Sequence, residues 1–386
     1  MKYFSVPADF KNETIDSYYQ LNNEYSDSKV IETYGNITVG NAFGSGRTAD
    51  TLPEVDIMDL ERYVSYSGKR GIGFNYTINT THMSNREFDE DYILLIIRFL
   101  HELYQIGVRS LTVTLPSLIE IIKSTGLDFK IKASTLCQVT NPNKAVSFKN
   151  AGVDRLVVEE SINRDFHTLK RIREAFGDKV EVIANVVCLK DCIYRTFHYN
   201  QMSCDSIRIP SETSLTYYSH RCIMKRYENV ANILKLSWIR PEDMDYYTQI
   251  GINYFKLQGR QAVLKGDPVR TVTAYFKGKY DGNLMDLLDM FAPTNAFRVY
   301  VDNRKLDGFI EIFANHEGFC RHSCDKCKYC NSYAAKSIDY KEAEKVIKAA
   351  KNFYEEYDQM KQILRRSSFI DKSFVEDEEL AISYDL

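Results

Sequence analysis

The chain has 386 residues, 44% of them hydrophobic and 27% charged, with 50 Lys and Arg against 53 Asp and Glu. These values are ordinary for a globular protein, and the near-neutral charge argues against a broadly basic nucleic-acid-binding surface. The N-terminus has no apolar signal-peptide core and no run of about 18 apolar residues occurs, so we expect a cytoplasmic protein without a membrane-spanning helix. In a reducing compartment, clustered cysteines indicate metal binding or catalysis rather than disulfides.

The order of the predicted elements indicates a barrel. The first 34 residues read as an N-terminal extension (1–34), and residues 35–265 hold alternating strand and helix patterns. Most strand patterns are apolar throughout, as expected for parallel strands covered on both faces. Eight β/α units predict a (β/α)8 TIM-like barrel, with an open doubly wound sheet as the alternative. The predicted strands begin at Ile37, Gly71, Ser110, Phe129, Arg155, Val180, Ile233 and Tyr254.

Four similar stretches mark the ends of predicted helices. In each, a helical pattern stops at a glycine, one hydrophobic residue follows, and a β-rich run begins after two mostly polar residues. Glycine adopts the left-handed conformation at a helix end without steric cost. The pattern is typical of the loop that leads from a helix into the next parallel strand. The four glycines are Gly107, Gly126, Gly152 and Gly251.

Polar side chains follow the predicted strands, at the end of a barrel where active sites lie. Arg240 and Arg260 are predicted to bind a carboxylate, because a guanidinium pairs with carboxylates through two hydrogen bonds. Glu159, Glu160 or His198 is predicted to transfer a proton. For each residue, helix capping or a structural hydrogen bond is the alternative. The other polar residues of this rim are Asn41, Asn79, Ser134, Thr135, Asn185, Cys188 and Gln258.

Four of the nine cysteines fall between the sixth and seventh predicted strands. Cys188 and Cys192 stand four residues apart, and Cys204 and Cys222 follow. Thiolates held in one excursion at a strand end suit an iron–sulfur cluster or zinc. Buried free cysteines are the alternative. We name these four residues the first cysteine group and predict that they bind metal.

Another four cysteines stand near the C-terminus, in "CRHSCDKCKYC". Cys320, Cys324, Cys327 and Cys330 are spaced C-x3-C-x2-C-x2-C. The first three match the signature of radical S-adenosylmethionine enzymes, but that motif leaves one iron open and normally follows the first barrel strand. Here a fourth cysteine is available and the motif follows the last strand, so we predict a fully ligated iron–sulfur cluster or zinc. We name these residues the second cysteine group.

Residues 266–386 are predicted to form a C-terminal segment that contains the second cysteine group and an amphipathic helix. The helix is predicted over residues 337–366, which are rich in good helix formers and carry an apolar face. We expect this helix to pack on the barrel or on a partner.

The stretch "KASTLCQVTNPNKAVSFKNAGVDRLVVEESI" resembles the signature region of the collagenase-like peptidase family U32. The resemblance covers about residues 35–265 and includes "RPEDMDYYTQIGINYFKLQGR", whose end is similar to a late strand end of that family. The chain departs from the family pattern at Gln258, where an acid is usual. It also departs at Val186 and Val187, which replace a His-Gly pair.

The resemblance implies a TIM-barrel-like protein that holds a four-iron cluster. Better-understood members act in oxygen-independent hydroxylation of ubiquinone precursors or RNA bases, with prephenate as the oxygen donor. These properties belong to the family and come to this chain only through the resemblance. Carried over, the family's cluster ligands and strand-end residues correspond to Cys188, Cys192, Cys222, Glu159 or Glu160, and Arg260.

Three functions follow from these observations. The first is an iron–sulfur redox enzyme with one or two 4Fe-4S clusters, acting on a small molecule, a nucleobase or a peptide. The second is a peptidase, the family's historical label, although the sequence has no recognisable Ser-His-Asp or HExxH arrangement. The third is a non-catalytic partner of a related subunit, with structural metal such as zinc at the second cysteine group. The metal content distinguishes them.

Overall fold

The computed structural model describes residues 1–41, 43–206, 217–293 and 297–367. Eight parallel strands close into a barrel in chain order, and the last strand pairs with the first. The predicted (β/α)8 fold class is confirmed. The strands are β1 (Lys2–Pro7), β2 (Ser28–Gly35), β3 (Gly73–Ile78), β4 (Ser110–Val113), β5 (Lys130–Ala133), β6 (Arg155–Val157), β7 (Val180–Ile183) and β8 (Tyr254–Lys256).

Helices surround the barrel and build the C-terminal segment. In the described part of the chain, no helix is long and apolar enough to cross a membrane. The helices are α1 (Asn12–Glu24), α2 (Ile57–Gly68), α3 (Glu90–Gln105), α4 (Pro116–Ser124), α5 (Pro142–Asn150), α6 (Phe166–Phe176), α7 (Arg195–Asp205), α8 (Tyr217–Arg226), α9 (Met244–Gln249), α10 (Pro268–Lys277), α11 (Leu284–Leu288), α12 (Glu311–Asn315), α13 (Tyr329–Ser337), α14 (Tyr340–Glu356) and α15 (Gln359–Ser367).

Local sequence explains where the barrel helices begin and end. The Asp165 side chain accepts a hydrogen bond from the Thr168 backbone N–H at 3.0 Å and so caps the start of α6. At the helix ends, the predicted glycine loops are confirmed by left-handed φ values of 97°, 70°, 90° and 83° at Gly107, Gly126, Gly152 and Gly251.

The predicted N-terminal extension and two predicted strands are wrong. Residues 1–34 supply β1, α1 and most of β2, so the barrel begins at Lys2 rather than at residue 35. Ile37 lies in a loop, and Ile233 lies in the 3-10 helix Val230–Lys235. The apolar run around Ile233 is buried without joining the sheet, and burial alone produces the same hydrophobic pattern as a central strand.

A network of charged side chains crosses the barrel interior. Lys132 on β5 pairs with Glu32 on β2 and, at 2.9 Å, with Glu181 on β7. Arg155 on β6 lies 3.1 Å from the Glu32 carboxylate and 3.5 Å from that of Glu181. Burial acts to raise the pKa of Glu32, but Lys132 and Arg155 outweigh burial and lower it to about 2. Two cations therefore neutralise two carboxylates in a sealed interior.

The C-terminal segment packs on the barrel's outer elements. Tyr329, at the start of α13, stacks on Phe309 with ring centres 5.6 Å apart, and α14 packs against α8. The predicted single helix over 337–366 is divided, because α14 ends at Glu356 and α15 begins at Gln359. Of the predicted segment 266–386, residues 294–296 and 368–386 lie outside the described residues, and its boundary stays a prediction.

Candidate functional site

A small polar pocket of about 50 Å³ lies where the C-terminal ends of the strands converge. We name it the mouth pocket. Five residues of the predicted rim meet in its wall with four aromatic or cationic residues that were not predicted from the sequence. The predicted residues are Asn79, Ser134, Thr135, Gln258 and Arg260, and the additional ones are Tyr34, Arg47, Tyr199 and Lys256.

Arg260 is held in this pocket by neutral acceptors. Its guanidinium donates to the Asn36 side-chain oxygen, to Ser45 Oγ at 3.1 Å and to Asn79 Oδ1 at 3.3 Å. Burial, followed by the charge of Arg47, lowers the pKa of Arg260 to about 10, so the guanidinium stays charged at neutral pH. Among the described residues, no carboxylate forms an ion pair with Arg260. The pocket therefore holds an uncompensated positive charge.

Lys256 ends β8 and lines the same pocket. Its Nζ lies 4.0 Å from the centre of the Tyr34 ring, and the Tyr34 hydroxyl donates to the Leu257 carbonyl at 2.7 Å. Burial, followed by the charge of Lys132, lowers the pKa of Lys256 to about 7. The sequence signal for this residue was a lysine in the otherwise apolar strand "YFKL", and we had not assigned it a role.

The predicted acids Glu159 and Glu160 follow β6 and are buried beside Arg195 of α7. Glu159 pairs with Arg195, and Glu160 lies 3.7 Å from Arg195 Nε. Glu160 also accepts a hydrogen bond from Thr135 Oγ1 at 2.7 Å. Burial raises the pKa of Glu160 despite hydrogen bonds from Thr135 and Cys188. Glu160 thus connects a wall residue of the mouth pocket with the first cysteine group.

His198 lies on α7, behind the mouth pocket. Its ring stacks on that of Tyr199 at 5.8 Å, and its Nε2 lies 3.4 Å from Ser219 Oγ on α8. Burial, followed by the charge of Arg47, lowers the pKa of His198 to about 4. The imidazole is therefore neutral at physiological pH, and its lowered pKa makes it a weak proton acceptor. Its catalytic role stays a prediction.

Arg240 lies apart from the mouth pocket. Its Nε and Nη2 donate to the Asp243 carboxylate at 2.9 and 2.8 Å. Its Nη1 donates to the Asn303 carbonyl at 2.9 Å and to Asp307 at 3.1 Å. Because protein groups occupy its donors, the geometry supports a structural role for Arg240, and we do not include it in the site.

Three thiols of the first cysteine group are neighbours. Cys188 follows β7, Cys192 lies in the next turn, and Cys222 lies on α8. Burial raises the pKa of Cys188, and Glu160 and Cys222 raise it further. Burial likewise raises the pKa of Cys192, with a contribution from Cys222. These three are the residues that the family resemblance implies, whereas Cys204 lies near the end of α7.

Thiols of both cysteine groups line one cavity of about 460 Å³, which we name the cysteine cavity. Cys192 comes from the first group, and Cys320, Cys324 and Cys330 come from the second. Lys190, which is also in the wall, has its Nζ 3.9 Å from Cys320 Sγ. Sequence reasoning treated the two groups as separate sites, and the structure makes them neighbours.

Charged contacts join the two sides of the cysteine cavity. His322 Nδ1 lies 2.5 Å from the Asp191 carboxylate and connects the second cysteine group with the loop after β7. Arg164, a half-buried wall residue, acts on Cys330, whose pKa is raised by burial despite the opposing charge of the arginine. The cavity therefore offers cations to thiolates and not only apolar walls.

The thiols surround the cavity without meeting at one point. All nine cysteines are free, and in the second cysteine group Cys324 and Cys327 are exposed. Within the described ranges, no three His, Cys, Asp or Glu side chains form a group that could hold a metal ion. The metal-ligand predictions for both groups therefore stay predictions, and the cavity is the place to test them.

Comparison with known proteins gives the family. Residues 40–193 match the sequence model of peptidase family U32. The chain is 32% identical over 299 residues to a protein of Methanocaldococcus jannaschii named "Uncharacterized protease MJ1657", covering 77% of this chain and 86% of that protein. The solved structure of the U32 peptidase Mk0906 is 17% identical with a TM-score of 0.48, covering 66% of this chain and 91% of that one. A D-psicose 3-epimerase structure is 10% identical with a TM-score of 0.33, covering 54% and 81%. The family match and the relative from M. jannaschii show that this chain belongs to peptidase family U32.

Proposed function

We propose that this member of family U32 is an iron–sulfur-dependent redox enzyme. Its reaction in this proposal is oxygen-independent hydroxylation, or another oxidative modification, of a small molecule, nucleobase or peptide. One observation carries the proposal: thiols from two cysteine groups, more than a hundred residues apart in the chain, line a single cavity of about 460 Å³. Soft thiolate ligands beside cationic side chains are the surroundings that iron–sulfur clusters use.

The spacing of the thiols favours a cluster over a single zinc ion. Structural zinc is held by four ligands that point at one atom from about 2.0–2.3 Å. The described thiols surround a cavity and do not converge in that way. A cluster with several irons spreads its ligands around a larger body, which suits a cavity lined on two sides.

We propose cluster ligands from the positions of the thiols around the cysteine cavity. Cys320, Cys324 and Cys330 would hold a cluster from one side, with Cys192 facing them or Cys327 completing the set. When bound, such a cluster supplies one-electron transfer at a potential set by its surroundings. Lys190 and Arg164 would stabilise the thiolate charge. Cys188, Cys204 and Cys222 remain as proposed ligands of the second predicted cluster.

Substrate binding is proposed at the mouth pocket. Its buried cations, Arg260 above all, would attract an anionic group, because a guanidinium without a carboxylate partner is costly to bury. Glu160 holds a proton more readily than an ordinary glutamate and lies between Thr135 of the pocket and Cys188. It is placed to pass a proton from its carboxyl oxygen toward either side. Prephenate as oxygen donor stays a proposal drawn from the family resemblance.

Peptide hydrolysis is the second candidate, and one contact favours it. Ser219 Oγ lies 3.4 Å from His198 Nε2, and His198 is neutral at physiological pH, as a general base must be. In the described part of the chain, no carboxylate is recorded on the other ring nitrogen, so the pair lacks the acid that orients a triad histidine. Residues 207–216, which precede α8, lie outside the described residues.

Two variants separate these candidates. We expect anaerobically purified protein to absorb broadly in the visible range and to be bleached by dithionite. Cys330→Ser should lose much of that absorption, whereas Cys137→Ser, a matched change at a buried thiol outside both groups, should retain it. Ser219→Ala should leave the spectrum unchanged. A colourless protein that cleaves casein fragments, with cleavage lost in Ser219→Ala, would replace the redox proposal with the peptidase.

A further inference from the structure

Three cations line the mouth pocket, and among the described residues no carboxylate lines it with them. Lys256 and Arg260 are buried in its wall, and Arg47 is half-buried beside them. Arg47 donates to the Gln261 side chain at 3.0 Å and to the Gly46 carbonyl at 2.6 Å, both of which are neutral. In the described ranges, none of the three cations forms an ion pair with a carboxylate. The pocket is therefore electrostatically incomplete and calls for a bound anion.

Lys256 differs from the buried lysine of the barrel interior. Lys132 is enclosed by the carboxylates of Glu32 and Glu181, which hold it as a structural cation. Lys256 has the Tyr34 ring at 4.0 Å from its Nζ and lines the pocket, and the charges of Lys132, Glu181, Arg260 and Glu32 act on it without forming a salt bridge to it among the described residues. Lys256 Nζ has no hydrogen-bond acceptor among the described residues and lines a pocket at the catalytic end of the barrel, where it can react with a ligand.

The pocket has room for a small molecule only. A water-sized group needs about 10–15 Å³ of cavity, so about 50 Å³ admits roughly four such groups. Hydroxyl groups of Ser134 and Tyr199 line the same space and can donate hydrogen bonds to oxygen atoms of a ligand. A two- or three-carbon acid fits, and a larger substrate would extend out of the mouth.

We propose that Lys256 forms a Schiff base with a small 2-oxo carboxylate whose carboxylate is held by Arg260. The Nζ lone pair attacks the ketone carbon, and a carbon–nitrogen bond forms as the carbonyl oxygen takes up a proton. The carbinolamine then loses its hydroxyl group, together with the one proton that remains on the nitrogen, as water. A carbon–nitrogen double bond is left. One carbonyl and one amine give one imine and one water, so no oxidant or reductant is consumed.

The charges around Lys256 keep its amine reactive. Burial comes first, then the cations Lys132 and Arg260, and these outweigh the attraction of Glu181 and Glu32. The pKa of Lys256 is lowered to about 7, so a large share of the amine is unprotonated at neutral pH. A lysine activated by burial and by neighbouring cations is the arrangement used by amines that attack carbonyl groups. Lys132 of the interior network therefore contributes to the lowered pKa of Lys256 in the mouth pocket.

This chemistry goes beyond the proposed redox function and does not depend on a cluster. Each residue it uses belongs to the barrel, and neither cysteine group lines the mouth pocket as described. Adduct formation can therefore be measured in protein stripped of metal as well as in protein purified without oxygen. Failure of one proposal leaves the other standing.

The test is trapping with pyruvate and sodium cyanoborohydride on the full chain, followed by peptide mass mapping. We expect the reduced pyruvyl adduct on the peptide that contains Lys256, at equal levels in both protein preparations. Lys256→Arg should lose this adduct, while Lys170→Arg, an exposed lysine on α6, should label as the unmodified chain does. Arg260→Lys should raise the pyruvate concentration for half-maximal trapping about tenfold, because one charge-assisted pair is lost.

Two further probes separate the carboxylate from the carbonyl. Acetone, which lacks the carboxylate, should trap at least about tenfold less at Lys256, and lactate, which lacks the ketone, should compete with pyruvate. Adducts spread over exposed lysines, with the Lys256 peptide unmodified in the wild-type chain, would overturn the proposal. Mapping the wild-type chain keeps that outcome readable even if Lys256→Arg fails to fold.

Discussion

The mouth pocket and the cysteine cavity are built in opposite ways. In the mouth pocket, hydrogen bonds from strands and their loops hold the buried side chains. One of them runs from Arg260 Nη1 to Ser45 Oγ at 3.1 Å. In the cysteine cavity, the thiols come from a loop and from the C-terminal segment, and Cys324 and Cys327 are exposed. The fold alone positions the side chains of the first site, whereas in the proposed function a bound metal would bring together those of the second.

The two sites differ in the contacts that hold their side chains in place. The mouth pocket rests on a charge network that spans four strands of the barrel, so it should resist loss of metal. The second cysteine group is tied to the barrel loop by exposed contacts such as that of His322 with Asp191. Perturbing one region should therefore leave the other largely intact, and four predictions test that independence.

The largest expected effect is loss of the interior cation. Lys132→Met leaves Glu32 and Glu181 with Arg155 as their only strong partner, and should lower the free energy of unfolding by about 3–5 kcal/mol. Lys130→Met on the same strand removes an exposed pair with Asp128 and should cost less than about 0.5 kcal/mol. Urea denaturation of both variants is the measurement. Equal stabilities would mean that the interior network does not support the mouth.

The second effect is a pH dependence that comes from Lys256. The folded pKa of about 7 lies below the ordinary value of 10.5, so between these values the unfolded chain binds more protons and stability rises with pH. From about pH 7 to about pH 9 the wild type should gain about 2–3 kcal/mol relative to Lys256→Met. Thermal and urea unfolding across this range give the comparison. Parallel curves for the two chains would show that Lys256 is protonated in the native state.

The third effect separates the two sites directly. In the proposed function, removing the metal with a chelator should raise amide hydrogen exchange in residues 319–330 about a hundredfold, because the thiols of the second cysteine group would lose their common ligand. Amides of the barrel strands should keep their protection. Mass spectrometry of exchanged peptides measures both in one experiment. Strand peptides that lose protection together with residues 319–330 would contradict the independence of the sites.

The smallest effect concerns the exposed contact across the cavity. His322→Ala removes the pair with Asp191, in which both side chains are about half exposed, and such pairs contribute less than about 1 kcal/mol. Loss of iron to a chelator should therefore speed up by only about two- to fourfold. His316→Ala, at an exposed histidine without this pair, is the matched control. A much larger acceleration would mean that His322 binds the metal itself.

Most of the barrel strands were predicted from their sequence pattern. The prediction included β3 to β8 and missed β1 and β2. It also included a strand at Ile233, where the structure has a 3-10 helix. Ser5 and Glu32 point into the barrel, so these two strands lack the continuous apolar pattern of a buried strand. An inward charge alone does not prevent the prediction of a strand, because β5 and β7 carry Lys132 and Glu181 and were predicted. An apolar run buried outside the sheet, at Ile233, was predicted as a strand.

The residues of the mouth pocket, like the strands, were predicted only in part. Asn79, Thr135 and Arg260 were placed at the mouth because strand ends meet there in any such barrel. Lys256 was missed because a lysine in a short strand is typical of an edge or surface position. The sequence does not show that its side chain points inward, and the proposed reactivity depends on that direction. The shared cysteine cavity could not be predicted, since no rule of spacing brings two distant loops together.

The most direct test of the account is the amount of iron, acid-labile sulfide and zinc per chain after purification without oxygen. We predict iron and sulfide in equal amounts, about four or about eight of each per chain, with a loss of about four in Cys330→Ser. Zinc bound at one per chain, with no iron or sulfide, would contradict the redox proposal and leave the second cysteine group as a structural site.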